Sequence, residues 1–445
     1  MILTETHSIK LNTKTKELFT KIDSFTLCSK NLRNYTNYII KQCSRISYKL
    51  KRGEILDSWE KGFIYRINCV IYKYNHIDRK KPIKEVKRID ETNGFISNAY
   101  FLAWYLKDFE VYKQMPFSTS AQICIQMLCS DWKAFYASIK LWKVKPELFL
   151  GKPKPPGYCD KETGRFWVSL TYQNIKVDDK NYIELPKVFS GIKVKARHTD
   201  IKQVRITTTK NQIKVQLLYK QEPKKKTSNK AIMGIDLNVD NLTAIAFSNN
   251  AMPIIIDGKP LKSNNQWYNK EKARLQEIAK KDNDRDETNR MSRLTQRRNN
   301  KVKDYLHKVS RMVVDLAIQN NIGTIVIGNN QGWKQEVNLG KKNNQNFVGI
   351  PYLTLIEKIT YKASLVGIKV EIVDEAYTSG TSYLDGEMPI PEHYNKKRRK
   401  TRGCFRSNSG EFINADINGA YQIIKKYDNI VPIKHREKVV TLKVA

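Results

Sequence analysis

Ile232-Met-Gly-Ile-Asp-Leu-Asn238 is an apolar run broken by a single acid, Asp236. Its length and composition suit a buried strand, and a lone carboxylate in such a strand is costly unless it is paired or bound to a cation. Two further strand-like runs follow at once, Leu242–Phe247 and Pro253–Ile256, close enough to form a meander. A long, heavily charged helical region, 265–320, comes next and reads as a helical hairpin. Thr324-Ile-Val-Ile327 is a short buried strand, Pro351–Val366 a helix, Ile368–Val373 another strand and Asp416–Lys425 a final helix. The order is strand, strand, strand, helix, strand, helix, strand, helix.

Upstream the period changes. Residues 1–145 read as mainly helical, with apolar residues at three- and four-residue spacing in Thr15–Arg45 (Leu18, Ile22, Phe25 and Leu32) and in Ser97–Ser138. Between these, Tyr72–Glu91 is rich in Lys and Arg and reads as an exposed insertion. Gly151-Lys-Pro-Lys-Pro-Pro-Gly157 breaks the helical pattern, and Arg165–Tyr172 is strand-like. Val204 and Ile206, a turn at Lys210-Asn211, then Ile213, Val215 and Leu217 have the alternation of a hairpin, so 146–225 is expected to be a small barrel or sandwich. Gln221–Asn229 resembles a linker, which places the next domain at 231–445.

The 445 residues carry 80 Lys and Arg against 44 Asp and Glu, a formal net charge of +36. Such self-repulsion in a folded chain points to a polyanionic partner, and phosphate neutralisation is the natural one. An anionic membrane is the competitor, but no amphipathic anchor, apolar leader or long apolar span is legible, so no membrane association and a cytoplasmic, nucleoid-associated location are expected. The seven cysteines are scattered without a C-x-x-C pair, and neither disulfides nor structural zinc are expected.

The element order after 231 is the RNase H topology, which holds two divalent metals between an acid on the first strand and one at the start of the last helix. Mg²⁺ requires hard oxygen ligands. Asp236 and Asp416, in Ile413-Asn-Ala-Asp-Ile-Asn-Gly-Ala420, occupy those two places. Each has a plain structural alternative, a strand-end acid for Asp236 and a helix N-cap for Asp416.

GIDLNVDNLTAIA (234–246) and INADINGAYQII (413–424) resemble the first and third RuvC motifs of the TnpB family, transposon-encoded relatives of type V CRISPR effectors and of Fanzor proteins. IVIGNNQGWKQEVNLGKKNNQNFVGIP (325–351), EAYTSGTSYLD (375–385), MPFSTSAQ (115–122), DWKAF (131–135) and GKPKPPGY (151–158) resemble one branch of it. The resemblance implies a multidomain α+β protein: a helical recognition segment, 1–145, including the first strand of a β-rich wedge; the wedge itself, 146–225; and a RuvC-like nuclease domain, 231–445. It also implies two Mg²⁺ ions, a guide RNA and a target DNA.

Two departures stand out. Most members end the strand matching Thr324–Ile327 in a glutamate, where this chain has Gly328. Glu375, one strand further out and about 10 Å away in backbone terms, is the candidate replacement, favoured over Glu336 and Asp374; the branch resembled carries such a relocated glutamate. The region 378–414, where the family often has two C-x-x-C pairs, holds only Cys404, so it reads as a degenerate zinc ribbon. Its basic run Lys396-Lys397-Arg398-Arg399-Lys400, with Lys334, Lys341 and Lys342 upstream, is expected to contact nucleic acid. The resemblance therefore implies an RNA-guided DNA endonuclease with Asp236, Glu375 and Asp416 as metal ligands. A nuclease-inactive RNA-guided repressor and a transposase stay open as alternatives.

Overall fold

The computed structural model describes residues 1–78, 84–94, 98–198, 200–283, 286–329, 349–429 and 438–444. The chain is α+β and divides into two compact units, Met1–Lys220 and Gln221–Ala445.

In the first unit, β1 (Ile2–Lys10) leads into α1 (Lys16–Lys51), followed by α2 (Ser58–Asn75), α3 (Ala99–Leu106), α4 (Glu110–Lys113) and α5 (Ser118–Val144). Strands β2 (Val168–Thr171), β6 (Ile201–Thr209) and β7 (Gln212–Lys220) join β1 in an antiparallel sheet of order β1-β7-β6-β2. A small sheet of β3 (Lys176–Val177), β4 (Tyr182–Glu184) and β5 (Lys193–Lys195) belongs to the same core. At 1.5 Å per residue, α1 is about 54 Å long, long enough to serve two cores. Near its start Ile22 packs on the sheet with Val204, Val215 and Leu217; further along Leu32, Ile39 and Ile40 pack with Phe101, Leu128 and Trp132.

Most described residues of the Tyr72–Glu91 segment are exposed, as expected, but the segment is anchored. Asn75 and Asn68 each make paired hydrogen bonds with a backbone N–H and C=O, of Val86 and Ile89 respectively, and both Val86 and Ile89 are buried. Two side-chain amides thus hold a charged stretch down as if it were a strand.

The second unit is built on a mixed six-stranded sheet. Strands β8 (Ala231–Leu237), β9 (Asn241–Phe247) and β10 (Ile254–Asp257) form an antiparallel meander, and two helices follow, α6 (Lys259–Asn283) and α7 (Asn289–Gln319). Next come β11 (Ile322–Gly328), α8 (Tyr352–Leu365) and β12 (Lys369–Val373), then three short strands, β13 (Arg399–Thr401), β14 (Cys404–Arg406) and β15 (Phe412–Asn414), in a sheet of their own. The helix α9 (Ala415–Tyr427) and β16 (Val440–Leu442) close the chain. Strand order is β12-β11-β8-β9-β10-β16, with β11 parallel to both β8 and β12. The architecture is consistent with the RuvC and RNase H-like superfamily.

Strand alternation assigns the two faces. Met233, Ile235 and Leu237 pack with Leu306, Val309 and Val313 of α7 and with Leu355 and Ile359 of α8. Ile232, on the opposite face, packs with Ala420, Tyr421 and Ile424 of α9, and Gly234 shares that face. A Cβ at Gly234 would come within 2.3 Å of the Ala420 carbonyl oxygen, so glycine is what allows α9 to lie directly on β8. Asp236, two residues on, is therefore carried to the α9 face. Among the described residues no helix is long and apolar enough to cross a membrane.

Candidate active site

A cavity of about 470 Å³ opens where β8 ends, bounded by Asp236, Asn238, Glu375, Tyr377, Arg399 and Gly419. Two acids, Asp236 and Glu375, line it, and a third, Asp416, acts on Asp236 from beside it; the three come from separated segments. Asp236 is near the C-terminal end of β8. The Asp236 carboxylate lies against α9 at Gly419, where an added Cβ would stand 3.0 Å from Oδ2. Asp416 is three residues before Gly419, on the same helical face. Asn414, not Asp416, caps α9: its side chain accepts from the N–H groups of Asp416 and Ile417. The Asp416 carboxylate is thereby left to accept from Arg399 at 3.1 Å and from the Asn241 amide at 2.7 Å.

Glu375 arrives from the loop after β12. Gly328 pairs with Val373 in the parallel β11–β12 ladder, and the Asn329 N–H donates to the Val373 carbonyl at 2.9 Å. A Cβ built on Gly328 would lie 3.2 Å from the Cβ of Glu375 and 2.5 Å from Ile423 Cδ1. Glu375 thus enters the space beside the end of β11 from one strand further out, and Gly328 is what leaves room for it. Asp374 is exposed and faces Lys426 at 3.4 Å, away from this cavity's lining. Glu336, with Lys334, Lys341 and Lys342, lies outside the described residues.

The electrostatics reflect the crowding. Burial, followed by repulsion from Asp416, pushes Asp236 up to about 7, against the hydrogen bond from Asn238 (2.8 Å) and the Arg399 charge. Burial, then Asp236 and Asp374, push Glu375 up to about 8, with Lys426 opposing. A site that gathers like charges and desolvates them stores a demand for a cation. Arg399 meets part of that demand at Asp416. The donor set is all carboxylate oxygen, which suits Mg²⁺. Among the described residues no three such side chains stand close enough together to grip an ion as they are placed.

The expected nucleic-acid contacts divide. Lys396, Lys397 and Lys400 are exposed and Arg399 is half-buried beside the acids. Arg398 departs from the expectation: it is 9% exposed, donates to Glu387 at 2.8 Å and to the His393 carbonyl at 2.6 Å, and lies over the Phe405 ring. It is an internal strut of the 378–414 segment, with no surface to offer a phosphate.

Sequence reading missed Asn238 and Asn241, which orient the Asp236 and Asp416 carboxylates. For Asn238 the signal was present, two residues after the acid it serves, whereas Asn241 serves an acid 175 positions away. It also missed Tyr377, held at φ 68°, an uncommon conformation for a bulky residue, with its ring edge-on to Tyr394 at 5.8 Å. Both tyrosines line the cavity.

Family comparisons agree with the arrangement of motifs. Residues 212–334 match the OrfB_IS605 family, described as "Probable transposase", and residues 352–423 match the Cas12f1-like TNB domain. The chain is similar to the CRISPR-associated endodeoxyribonuclease Cas12f1 of Sulfoacidibacillus thermotolerans, 33% identical over 126 residues, or 28% of this chain and 27% of that protein. That alignment spans only about a quarter of the relative's length. It is also similar to TnpB-like protein ORF457 of Acidianus two-tailed virus, 25% identical over 74% of this chain and 76% of that one. Among solved structures, a Cas12f1–sgRNA–target DNA complex aligns over 95% of this chain and 98% of its own at 17% identity and a TM-score of 0.35. Two stretches of the chain thus match models of the transposase and Cas12f1-like families, and the chain is similar to TnpB-like and Cas12f1 proteins.

Proposed function

We infer that this protein is an RNA-guided DNA endonuclease whose hydrolytic centre is the cavity lined by Asp236 and Glu375, with Asp416 beside it. The observation that carries the reading is the raised pair Asp236 and Glu375 in one cavity beside the first turn of α9. Stability alone gives a fold no reason to desolvate like charges together. The strand order β10-β9-β8-β11-β12 supports an RNase H-like core for 231–445. The four-stranded sheet and its small neighbour support a wedge at 146–225 completed by β1, with the helices of 1–145 as the recognition segment.

Asp236, Glu375 and Asp416 would hold two Mg²⁺ ions. When bound, these supply an activated water and charge neutralisation at the scissile phosphate. Asn238 and Asn241 hold the Asp236 and Asp416 carboxylates each in one orientation. Arg399 balances Asp416 and is positioned to meet a phosphate as it enters. Exposed Lys396, Lys397 and Lys400 extend that positive edge. Guide RNA reads the target by pairing, which suits a chain with a large positive charge and no base-reading motif.

A second reading, a nuclease-inactive RNA-guided repressor, is favoured by one observation: Asp416 is already engaged by Arg399, and the described acids do not stand as a closed metal site. A transposase joining DNA ends would use the same acids. The test is to purify the full chain with its native RNA and incubate it with a guide-matched plasmid in Mg²⁺. Cutting is expected, and Asp236→Asn, Glu375→Gln and Asp416→Asn should each reduce it by on the order of 10⁴-fold while RNA stays bound. RNA-dependent target binding without cutting by the parent would select the repressor, and joined ends without an RNA requirement the transposase. Full activity in Glu375→Gln would remove Glu375 from the centre.

A further inference from the structure

The first unit carries a second cavity, of about 770 Å³, walled by the C-terminal part of α1, by α5 and by the turn Glu91–Gly94. Its walls are periodic. Ser44, Ser47, Tyr48 and Lys51 recur at helical spacing along α1, and Lys133, Tyr136 and Lys140 do so along α5. Each helix therefore turns one polar, aromatic and cationic stripe into the same cleft.

The floor is built rather than incidental. Ser44 Oγ and the Tyr136 hydroxyl are 3.3 Å apart, tying the two helices together. Ser47 donates to the Asp90 carbonyl. Gly94 lies so close to α1 that an added Cβ would stand 2.4 Å from Ser47 Cβ. Three lysines line the cleft against one acid, Glu91, and among the described residues none of the three is in an ion pair. Tyr48 is 60% exposed at the edge. Three ammonium groups and a large exposed ring facing one hollow suit an anionic, flat-faced ligand.

We propose that this cleft binds an unpaired nucleotide of a nucleic-acid strand, with its base stacked on Tyr48 and its flanking phosphates on Lys51, Lys133 and Lys140. The volume lies within the range of small-ligand sites and admits a nucleotide, whereas a duplex keeps its base faces covered. The serine hydroxyls and the Tyr136 hydroxyl offer hydrogen bonds to a sugar or base edge. The proposal stands on this cavity and does not depend on the carboxylate centre, so each can fail without the other.

The test uses the full chain and two single-stranded probes of one sequence, RNA and DNA, each carrying 5-iodouracil, with the corresponding duplex as a third arm. Irradiation should crosslink a single-stranded probe to Tyr48 or Tyr136, as read by peptide mass spectrometry. The more efficient strand identifies the source of the nucleotide. Tyr48→Ala should weaken that strand roughly 5- to 150-fold, and Tyr48→Phe should retain binding. Lys51→Ala, Lys133→Ala and Lys140→Ala together should flatten the log–log salt dependence by about 2. The Asp236→Asn protein should crosslink as the parent does. Parent-like binding by the tyrosine and lysine variants, crosslinks confined to other peptides, or equal capture of the duplex would overturn the proposal.

Discussion

Arg398 and Arg399 are neighbours in sequence, and they meet different acids in the second unit. Arg398 sits between Glu387 at 2.8 Å and Asp385 at 3.7 Å. Burial alone would raise both carboxyls. Ser382, Asn408 and Ser409 donating to Asp385, and Arg398 and Ser382 donating to Glu387, outweigh it and hold both below the ordinary carboxylate range. Arg399 donates to Asp416 and to the Arg402 carbonyl, and its charge is too weak to stop Asp236 and Glu375 being driven the other way. The first group is a satisfied network that fixes a loop. The second is under-compensated, and that imbalance separates a site from a strut.

The largest effect that distinguishes them is on stability. Arg398→Ala takes the charged partner from two half-buried acids and should cost about 3 kcal/mol, visible as a fall in the calorimetric melting temperature of the second unit. Arg399→Ala removes a half-exposed partner of one acid that keeps its Asn241 hydrogen bond, and should cost about 1 kcal/mol or less. Equal losses would mean that both arginines are struts and that the contrast is empty.

Next in size is the glycine that admits Glu375. A methyl group at Gly328 meets Ile423 Cδ1 at 2.5 Å and Cγ1 at 3.1 Å. Gly328→Ala should therefore cost about 1–3 kcal/mol by overpacking, and it should depress cleavage further by displacing Glu375. Ile423→Val, paired with Gly328→Ala, should recover part of the stability. Loss of cutting without loss of stability would sharpen the reading, because the methyl group would then act on Glu375 alone.

Period-two alternation carries far in this chain. It assigns Met233, Ile235 and Leu237 to one face and Asp236 to the other, and the element order after 231 follows from run lengths and breaks. The position of Gly328 opposite Val373 needed only the parallel pairing of two short apolar strands. What local pattern cannot show is the destination of a long side chain. Lys396–Lys400 reads as one basic run, yet Arg398 turns inward because Asp385, Glu387 and Phe405, from 7 to 13 positions away, meet it there. Asp416 and Asn414 are both good helix caps by type, and only the backbone entering α9 decides that Asn414 takes the role. The pinning of Val86 and Ile89 by Asn75 and Asn68 depends on contacts 11 and 21 residues apart, where no periodicity survives.

The smallest expected effect is the dependence on pH, and the two groups should show it with opposite sign. Asp385 and Glu387 have depressed values in the fold, so their contribution is present above the unfolded value near 4 and is lost as pH falls through the folded values. Asp236 and Glu375 are raised to about 7 and about 8. Between pH 4 and 8 the native state therefore holds protons that the unfolded chain has released, and stability declines as pH rises across that window. In chelator, the melting temperature of the parent should drop from pH 5 to pH 8.5. Glu375→Gln should remove about 2–4 °C of that drop, the equivalent of roughly 1 kcal/mol in a unit of this size. Glu387→Gln should leave the alkaline decline intact and lower stability near neutrality. Parallel profiles for the parent and Glu375→Gln would show that Glu375 titrates like an ordinary surface acid, and the cavity would lose the charge crowding that sets it apart from the Arg398 network.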